Sequence, residues 1–130
     1  MNAPLPIDHA VIMVRSLAAS MPYYDALLPL LGFEKRRAHV WANALGFHLQ
    51  FHEATAESRD YERYGPGLNH LGFSAPNPET VRAVREAMAA AGFAVPEIQD
   101  LDGATALFMK DPDGLRFEVT CYPPGASVVD

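Results

Sequence analysis

Two histidines, His9 and His70, stand at the same point of two similar stretches of the chain, residues 7–17 and 68–78. In each stretch an apolar residue, a polar residue and then the histidine open a segment that is typical of a short strand. Each segment then leads through a turn into an amphipathic helical pattern that ends in Gly-Phe. The chain therefore reads as two copies of one unit, with the two histidines facing a shared site.

A second pair of polar residues emerges when the halves are aligned on their last predicted strands. Gln50 and Glu118 then pair, each between two apolar residues. Because side chains alternate across a strand, both histidines and both of these residues are predicted on the faces opposite the helices. Two imidazoles, a carboxylate and an amide oxygen suit a divalent ion such as Zn²⁺, Ni²⁺, Co²⁺, Fe²⁺ or Mn²⁺. The predicted metal ligands are therefore His9, Gln50, His70 and Glu118.

Other polar side chains on the same predicted faces leave alternatives open. Two further histidines share the face of Gln50, and they could replace its neutral amide as a ligand or line a polar pocket. An arginine and a tyrosine flank Glu118 on its face, where they could bind an anionic substrate or form a solvated rim. The candidate substrate-binding residues are His48, His52, Arg116 and Tyr122.

The first half of the sequence predicts one strand, one helix and three further strands. An apolar, β-branched run favours the first strand, and an amphipathic run favours the helix, which Gly32 would end as a glycine cap. The strands are predicted at residues 7–14, 33–38, 40–45 and 46–54, the helix at 16–31, and a hairpin near 43–46.

The second half repeats this order after a connector at residues 55–67. Asn77 is the predicted N-cap of the helix, Pro78 its first residue, and Gly92 its end. Asp111-Pro112-Asp113-Gly114 is a strong turn signal between the last two strands. The strands are predicted at residues 68–75, 93–98, 105–110 and 115–122, with an irregular tail from Pro123 onward.

The predicted fold class is α+β. Two βαβββ modules are expected to form a curved, mixed eight-stranded sheet with the helices outside. The whole chain, residues 1–130, is predicted to be a single domain. Module 1 would span about residues 7–54, the linker about 55–67 and module 2 about 68–122.

Composition and charge narrow the functional classes. The chain has 130 residues, of which 49% are hydrophobic and 20% charged, as in an ordinary globular protein. Its formal net charge of -6 argues against nucleic acid or an anionic membrane surface as the main partner. A single cysteine permits no intramolecular disulfide, and the N-terminus has neither a signal peptide nor a membrane-spanning pattern. A cytoplasmic location is therefore expected.

These features together resemble the vicinal oxygen chelate superfamily, which includes glyoxalase I, methylmalonyl-CoA epimerase, fosfomycin-resistance transferases, extradiol dioxygenases and bleomycin-binding proteins. The resemblance covers about residues 7–122. It is carried by Ile7-Asp8-His9-Ala10-Val11-Ile12-Met13-Val14, Tyr23-Tyr24-Asp25, Leu30-Leu31-Gly32-Phe33, Asn69-His70-Leu71-Gly72-Phe73 and Asp111-Pro112-Asp113-Gly114-Leu115-Arg116-Phe117-Glu118.

The resemblance implies a glyoxalase-like fold, a homodimer, and one divalent metal ion on the four ligands named above. A His/Gln/His/Glu set is similar to that of the epimerase branch, whereas glyoxalase I more often has Glu where this chain has Gln50. The transferase and dioxygenase branches bind metal through three residues, which here would be His9, His70 and Glu118. The site could form within one chain or across a dimer.

The resemblance implies a metal-dependent enzyme that acts on a small oxygenated substrate. Lyase or isomerase chemistry of the glyoxalase I type, through a metal-stabilised enediolate with Glu118 as general base, is the leading expectation. The alternatives are an epimerase, a ring-cleaving dioxygenase or a thiol transferase of the fosfomycin type. A drug-binding protein of the bleomycin-resistance type is the non-enzymatic alternative, with Trp41, Tyr61 and Tyr64 as an aromatic wall.

Overall fold

The computed structural model describes residues 1–126. Contacts divide the chain into two compact units, Met1–Arg59 and the part that begins at Asp60. They are called module 1 and module 2 below. The division falls inside the predicted linker. The predicted irregular tail extends beyond the described residues.

Each module contains one helix and four strands, in the predicted order. Module 1 comprises β1 (His9–Val14), α1 (Leu17–Leu30), β2 (Phe33–Arg37), β3 (Val40–Asn43) and β4 (His48–Glu53). Module 2 comprises β5 (His70–Ser74), α2 (Pro78–Ala90), β6 (Gln99–Leu101), β7 (Ala104–Lys110) and β8 (Arg116–Cys121).

The strands form two hydrogen-bonded sheets of four, one in each module, with equivalent topology. The order is β1-β4-β3-β2 in module 1 and β5-β8-β7-β6 in module 2. In both sheets the first strand pairs in parallel with the last, and the other pairs are antiparallel. Because the first and last strands are parallel, a long crossover must connect them, and the helix is the first part of that connection. The predicted α+β class with two similar βαβββ modules is confirmed.

Helix α1 lies within one residue of its predicted bounds at each end. The Ser16 side chain accepts a hydrogen bond from the Ala19 amide at 3.1 Å, which caps the first turn. Two prolines, Pro22 and Pro29, lie inside the helix. Gly32 follows the last turn with φ of +88°, a conformation that glycine adopts readily.

Helix α2 confirms the predicted cap. The Asn77 side chain accepts from the Thr80 amide at 2.8 Å, and Pro78 is the first helical residue. Within the described residues, neither helix is long and apolar enough to cross a membrane.

Each helix packs on one face of its own sheet, and this is the face opposite the polar side chains. In module 1, Tyr24 of α1 packs against Phe51 of β4, with ring centroids 4.2 Å apart. In module 2, α2 packs on β7 and β8, and Phe117 stacks with Phe73 at 6.2 Å. The opposite face of each sheet carries the polar side chains.

One predicted strand, residues 93–98, is wrong. This segment is irregular, and the equivalent strand is the shorter β6. Pro96 has no amide hydrogen to donate to a sheet. Its carbonyl instead accepts from Arg85 Nε of α2 at 2.7 Å, and Glu97 pairs with Arg85 Nη2 at 3.0 Å. The segment is therefore bonded to the helix.

The turn before the last strand is built in the same way in both modules. Asn43 Oδ1 accepts from the amides two and four residues later, at 3.0 and 3.1 Å. Asp111 Oδ1 accepts from the equivalent two amides, both at 2.9 Å. Both predicted turns are confirmed, and each fixes the register of the strand that carries Gln50 or Glu118.

Candidate functional site

Strand register places the four predicted ligands at equivalent positions in the two modules. In module 1, Val11 of β1, two residues after His9, lies opposite Gln50 of β4. In module 2, Gly72 of β5, two residues after His70, lies opposite Glu118 of β8. Each histidine therefore shares a sheet face with one oxygen donor, at the same offset.

In module 2 the histidine and the carboxylate are in contact. His70 Nε2 lies 3.3 Å from Glu118 Oε1, and the Glu118 side chain is only 14% exposed. The buried Thr120 hydroxyl donates to the other carboxylate oxygen, Oε2, at 2.5 Å. Glu118 is thus held through one oxygen and presents the other to His70.

Asn69 provides the hydrogen-bond acceptor for Nδ1 of His70. Its amide nitrogen donates to the Arg63 carbonyl at 3.0 Å, which identifies its oxygen as the atom 2.7 Å from His70 Nδ1. That oxygen only accepts, so Nδ1 is the donor. Nε2, which faces the Glu118 carboxylate, is then the nitrogen with which the neutral ring could ligate a metal ion.

Module 1 holds its histidine in the same way with a different residue. His9 Nδ1 lies 2.7 Å from Asp8 Oδ2, and a carboxylate only accepts, so Nδ1 is again the donor. The pair is open to solvent, with Asp8 82% exposed. Ligating histidines usually donate their second nitrogen to such a partner, which fixes the ring and raises its basicity.

The other polar side chains on this face of module 1 make few hydrogen bonds. The half-buried Gln50 side chain makes no hydrogen bond among residues 1–126. His48 lies directly beside His9 in the register, and its Nδ1 is 3.1 Å from the Gly46 carbonyl. His52 lies beside Met13, further along the sheet. Of the two alternatives to Gln50, His48 is therefore the one next to His9.

His52 also borders an open depression of about 380 Å³ in module 1. Its lining combines apolar side chains with His39 and Glu53. Glu53 Oε1 accepts from the Leu17 amide at 2.9 Å, so this carboxylate already caps the start of α1. The depression is therefore partly a packing feature of the helix end.

The two other predicted substrate-binding residues lie on the Glu118 face of module 2. Arg116 is directly opposite His70 in the register. Burial, and then the charge of Glu118, raise the pKa of the Tyr122 phenol. At neutral pH Tyr122 therefore remains a neutral hydrogen-bond donor close to Glu118.

The aromatic wall suggested for a drug-binding site is contradicted in part. Trp41 is only 4% exposed, because it faces the helix side of its sheet opposite Leu49. The Tyr61 hydroxyl lies 2.7 Å from the Leu68 carbonyl, which fixes the connector. Only Tyr64 is widely exposed.

The four-ligand set divides between the modules and stays a prediction. Module 1 contributes His9 and Gln50, and module 2 contributes the contacting pair His70 and Glu118. Among residues 1–126, no three His, Cys, Asp or Glu side chains gather into a group that could hold a metal ion.

Sequence reasoning missed three supporting residues, Asp8, Asn69 and Thr120. The sequence carried a signal for two of them, since an Asp or Asn immediately precedes each candidate histidine. Thr120 follows Glu118 by two residues, so strand alternation puts both on one face.

A comparison with models of protein families shows the family to which the chain belongs. Residues 6–119 match the family model described as the Glyoxalase/Bleomycin resistance protein/Dioxygenase superfamily. The chain belongs to this superfamily. Membership confirms the resemblance seen in the sequence.

Solved structures of superfamily proteins show the same fold. A glyoxylase/bleomycin resistance protein/dioxygenase domain from Frankia superimposes with a TM-score of 0.77 at 22% identity, over 95% of this chain and 96% of that chain. A protein from Bacillus halodurans gives 0.76 at 23% identity, over 88% and 94%. A glyoxalase/bleomycin resistance protein/dioxygenase from Nocardioides gives 0.71 at 15% identity, over 100% and 91%. Comparison with curated proteins found no match.

Proposed function

We propose that this superfamily member is a divalent-metal-dependent enzyme that acts on a small oxygenated substrate by lyase or isomerase chemistry of the glyoxalase I type. The observation that carries the proposal is the His70–Glu118 contact, supported behind each partner by Asn69 and Thr120. A homodimer in the cytoplasm belongs to the same proposal.

The donor chemistry fits a divalent ion. Both candidate histidines have Nδ1 occupied by an acceptor, so Nε2 is the nitrogen left for a metal ion in each module, and in His70 it lies beside Glu118 Oε1. Glu118 has one oxygen held by Thr120 and the other available beside His70. The proposed ligands are His9, Gln50, His70 and Glu118, with His48 as the alternative to Gln50. When bound, the metal would supply Lewis acidity, which stabilises the oxyanion of an enediolate.

Glu118 is also the proposed general base: it would ligate the metal in the free enzyme and detach to act as base when substrate binds. Its carboxylate is sheltered, and the Thr120 hydroxyl holds one oxygen while the other faces the open side of the sheet next to His70. A carboxylate placed in this way can take a proton from the carbon next to a carbonyl group. His48, His52, Arg116 and Tyr122 are the side chains proposed to contact the substrate.

The proposal is tested by turnover of Glu118→Gln. The metal-reconstituted wild type is first screened with α-ketoaldehyde–thiol adducts, acyl-CoA epimers and catechols. On the substrate that turns over, Glu118→Gln is expected to lower kcat by about 10²–10⁴-fold, because the amide cannot accept the proton. Part of the bound metal, measured by elemental mass spectrometry, should remain.

Glu79→Gln is the matched control, because Glu79 is an exposed carboxylate on α2. It should retain wild-type kcat and metal content. If Glu118→Gln turns over as fast as this control, Glu118 is not the base. Absence of turnover on all three substrate classes would contradict the proposed chemistry.

A further inference from the structure

Three basic side chains form a row across the polar face of the module 2 sheet. His70 of β5 lies opposite Arg116 of β8, and Arg116 lies opposite Lys110 of β7. Residues directly opposite on neighbouring strands share a face, with Cα atoms about 4.5–5.5 Å apart. His70, Arg116 and Lys110 are called the basic row below.

The two permanent charges of this row have no partner among the residues that the structure describes. Neither Arg116 nor Lys110 makes a side-chain hydrogen bond or ion pair within residues 1–126, although the chain has 16 acidic residues. The Arg116 Nε atom is buried and lacks an acceptor. Like charges on directly opposite strand positions repel, and an unmet buried donor destabilises the fold.

The nearest carboxylate on this face does not neutralise the pair. Glu118 lies two residues beyond Arg116, but one of its oxygens faces His70 and the other accepts from Thr120. The positions in module 1 that correspond to Arg116 and Lys110 are His48 and Ala42. The doubled positive charge is therefore peculiar to module 2.

We propose that Arg116 and Lys110 bind an oxyanion group of the substrate, a carboxylate or a phosphate, beside the His70–Glu118 pair. The guanidinium is a planar fork that matches two oxygens of such a group, and the ammonium of Lys110 adds a point charge. This inference deepens the proposed function and, in naming the anion as part of a substrate, rests on it. The substrate class is a small oxygenated molecule that carries a negative charge.

The test measures anion binding to the metal-free full-length chain, so it is independent of turnover and of metal. Glycolate, its neutral counterpart glycolamide, and inorganic phosphate are titrated while amide chemical shifts are followed by NMR. Arg116→Gln and Lys110→Gln each remove one charge of the row. Arg82→Gln is the matched control, because Arg82 lies exposed on α2 beside Glu79.

Wild type and Arg82→Gln should bind glycolate or phosphate equally, with shifts centred on the basic row, and should not bind glycolamide. Arg116→Gln should weaken binding by about tenfold or more, as expected for loss of a charge-assisted hydrogen bond, and Lys110→Gln by less. Preference for glycolate over phosphate would identify a carboxylate, and the reverse preference a phosphate.

Equal anion affinity in Arg116→Gln and Arg82→Gln would overturn the proposal, as would failure of the wild type to bind either anion. If Arg116→Gln does not fold, Lys110→Gln decides, since Lys110 is exposed. Anion binding without any metal-dependent turnover would leave the basic row intact and contradict the proposed function alone.

Discussion

The two modules share a backbone plan but distribute their chemistry differently. Each has a histidine at the start of its first strand, an oxygen donor at the same offset on its last strand, and an Asp or Asn immediately before the histidine. The acid and the amide have exchanged places. In module 1 the acid is Asp8, which contacts Nδ1 of its histidine, and in module 2 it is Glu118, which contacts Nε2.

This exchange gives the two acids different environments and different tasks. Asp8 is 82% exposed and accepts from Nδ1 of His9, so it can only orient the ring. Glu118 is 14% exposed, faces Nε2 of His70 and is held by Thr120. A repeat can thus keep its turns, register and core while one copy alone acquires a sheltered carboxylate.

The residue opposite the oxygen donor on the neighbouring strand also differs between the two modules. Val11 stands next to Gln50, whereas Gly72 stands next to Glu118. A Cβ added at Gly72 would meet no atom within 4 Å, so the sheet is open there. Module 2 therefore combines the charged groups with an uncrowded sheet face at this position.

The first prediction concerns the cores, where the modules should behave alike. Phe51 and Phe117 are each at most 1% exposed and occupy equivalent strands. Phe51→Ala and Phe117→Ala should each lower the free energy of unfolding by about 3–5 kcal/mol, because both leave a cavity. Urea denaturation measures both. A large loss for one variant and none for the other would break the structural equivalence of the modules.

The second prediction concerns the two equivalent turns. Asp111 is buried and accepts hydrogen bonds from two amides. Asp111→Ala should therefore lower the free energy of unfolding by about 1–3 kcal/mol. Asn43→Ala removes the same two bonds and should cost less, since its turn is more exposed. Thermal and urea unfolding give the order. Asn43→Ala proving the more destabilising variant would contradict it.

The third prediction concerns Thr120, whose counterpart in module 1 is His52, a residue that makes no hydrogen bond to Gln50 within the described residues. Thr120→Val keeps the shape but removes the hydroxyl, and it should weaken Zn²⁺ binding by about tenfold, a typical effect of losing a group that holds a ligand. Thr120→Ser should restore the affinity, as measured by calorimetry. If the valine variant binds Zn²⁺ like wild type, the Thr120 bond does not hold a ligand.

The smallest expected effect is on the protonation of the histidine rings. In the metal-free protein Nδ1 of both His9 and His70 should carry a proton in ¹⁵N NMR spectra of the imidazoles. Asp8→Ala should change the spectrum of His9 alone, and Asn69→Ala that of His70 alone. An unprotonated Nδ1 in either wild-type ring would contradict the assigned hydrogen bond.

Much of the architecture follows from the sequence, because local signals and fold agree. The repeated strand–helix pattern, the Asn77 cap and the Asp111 turn signal each predicted the element that the structure contains. The strand at residues 93–98 failed because Pro96 outweighs the apolar pattern around it. Trp41 is wrong as a wall residue because it lies opposite Leu49 on the helix side of its sheet, where it is buried.

Of the candidate site, only the side chains on the strands could be predicted from the sequence, and not the residues that support them. Alternation along strands places Gln50 and Glu118 on the histidine faces, and the structure agrees. Asp8 and Asn69 precede their strands, so the rule of alternation does not apply, and each folds back against its neighbour's ring. The pairing of Arg116 with Lys110 depends on the register across a hairpin, which the turn at Asp111 determines.

Metal content tests the central proposal, that the equivalent histidines His9 and His70 both ligate one ion. The chain is purified without a metal-binding tag, reconstituted, and analysed by elemental mass spectrometry alongside His9→Ala, His70→Ala and His39→Asn. His39 lies in the β2–β3 turn with φ of +65°, which asparagine tolerates, so its variant is the control. About one ion per chain is expected in wild type and control, as for a single site, and loss in both alanine variants. Absence of metal in the reconstituted wild type, or full retention in His70→Ala, would contradict the account.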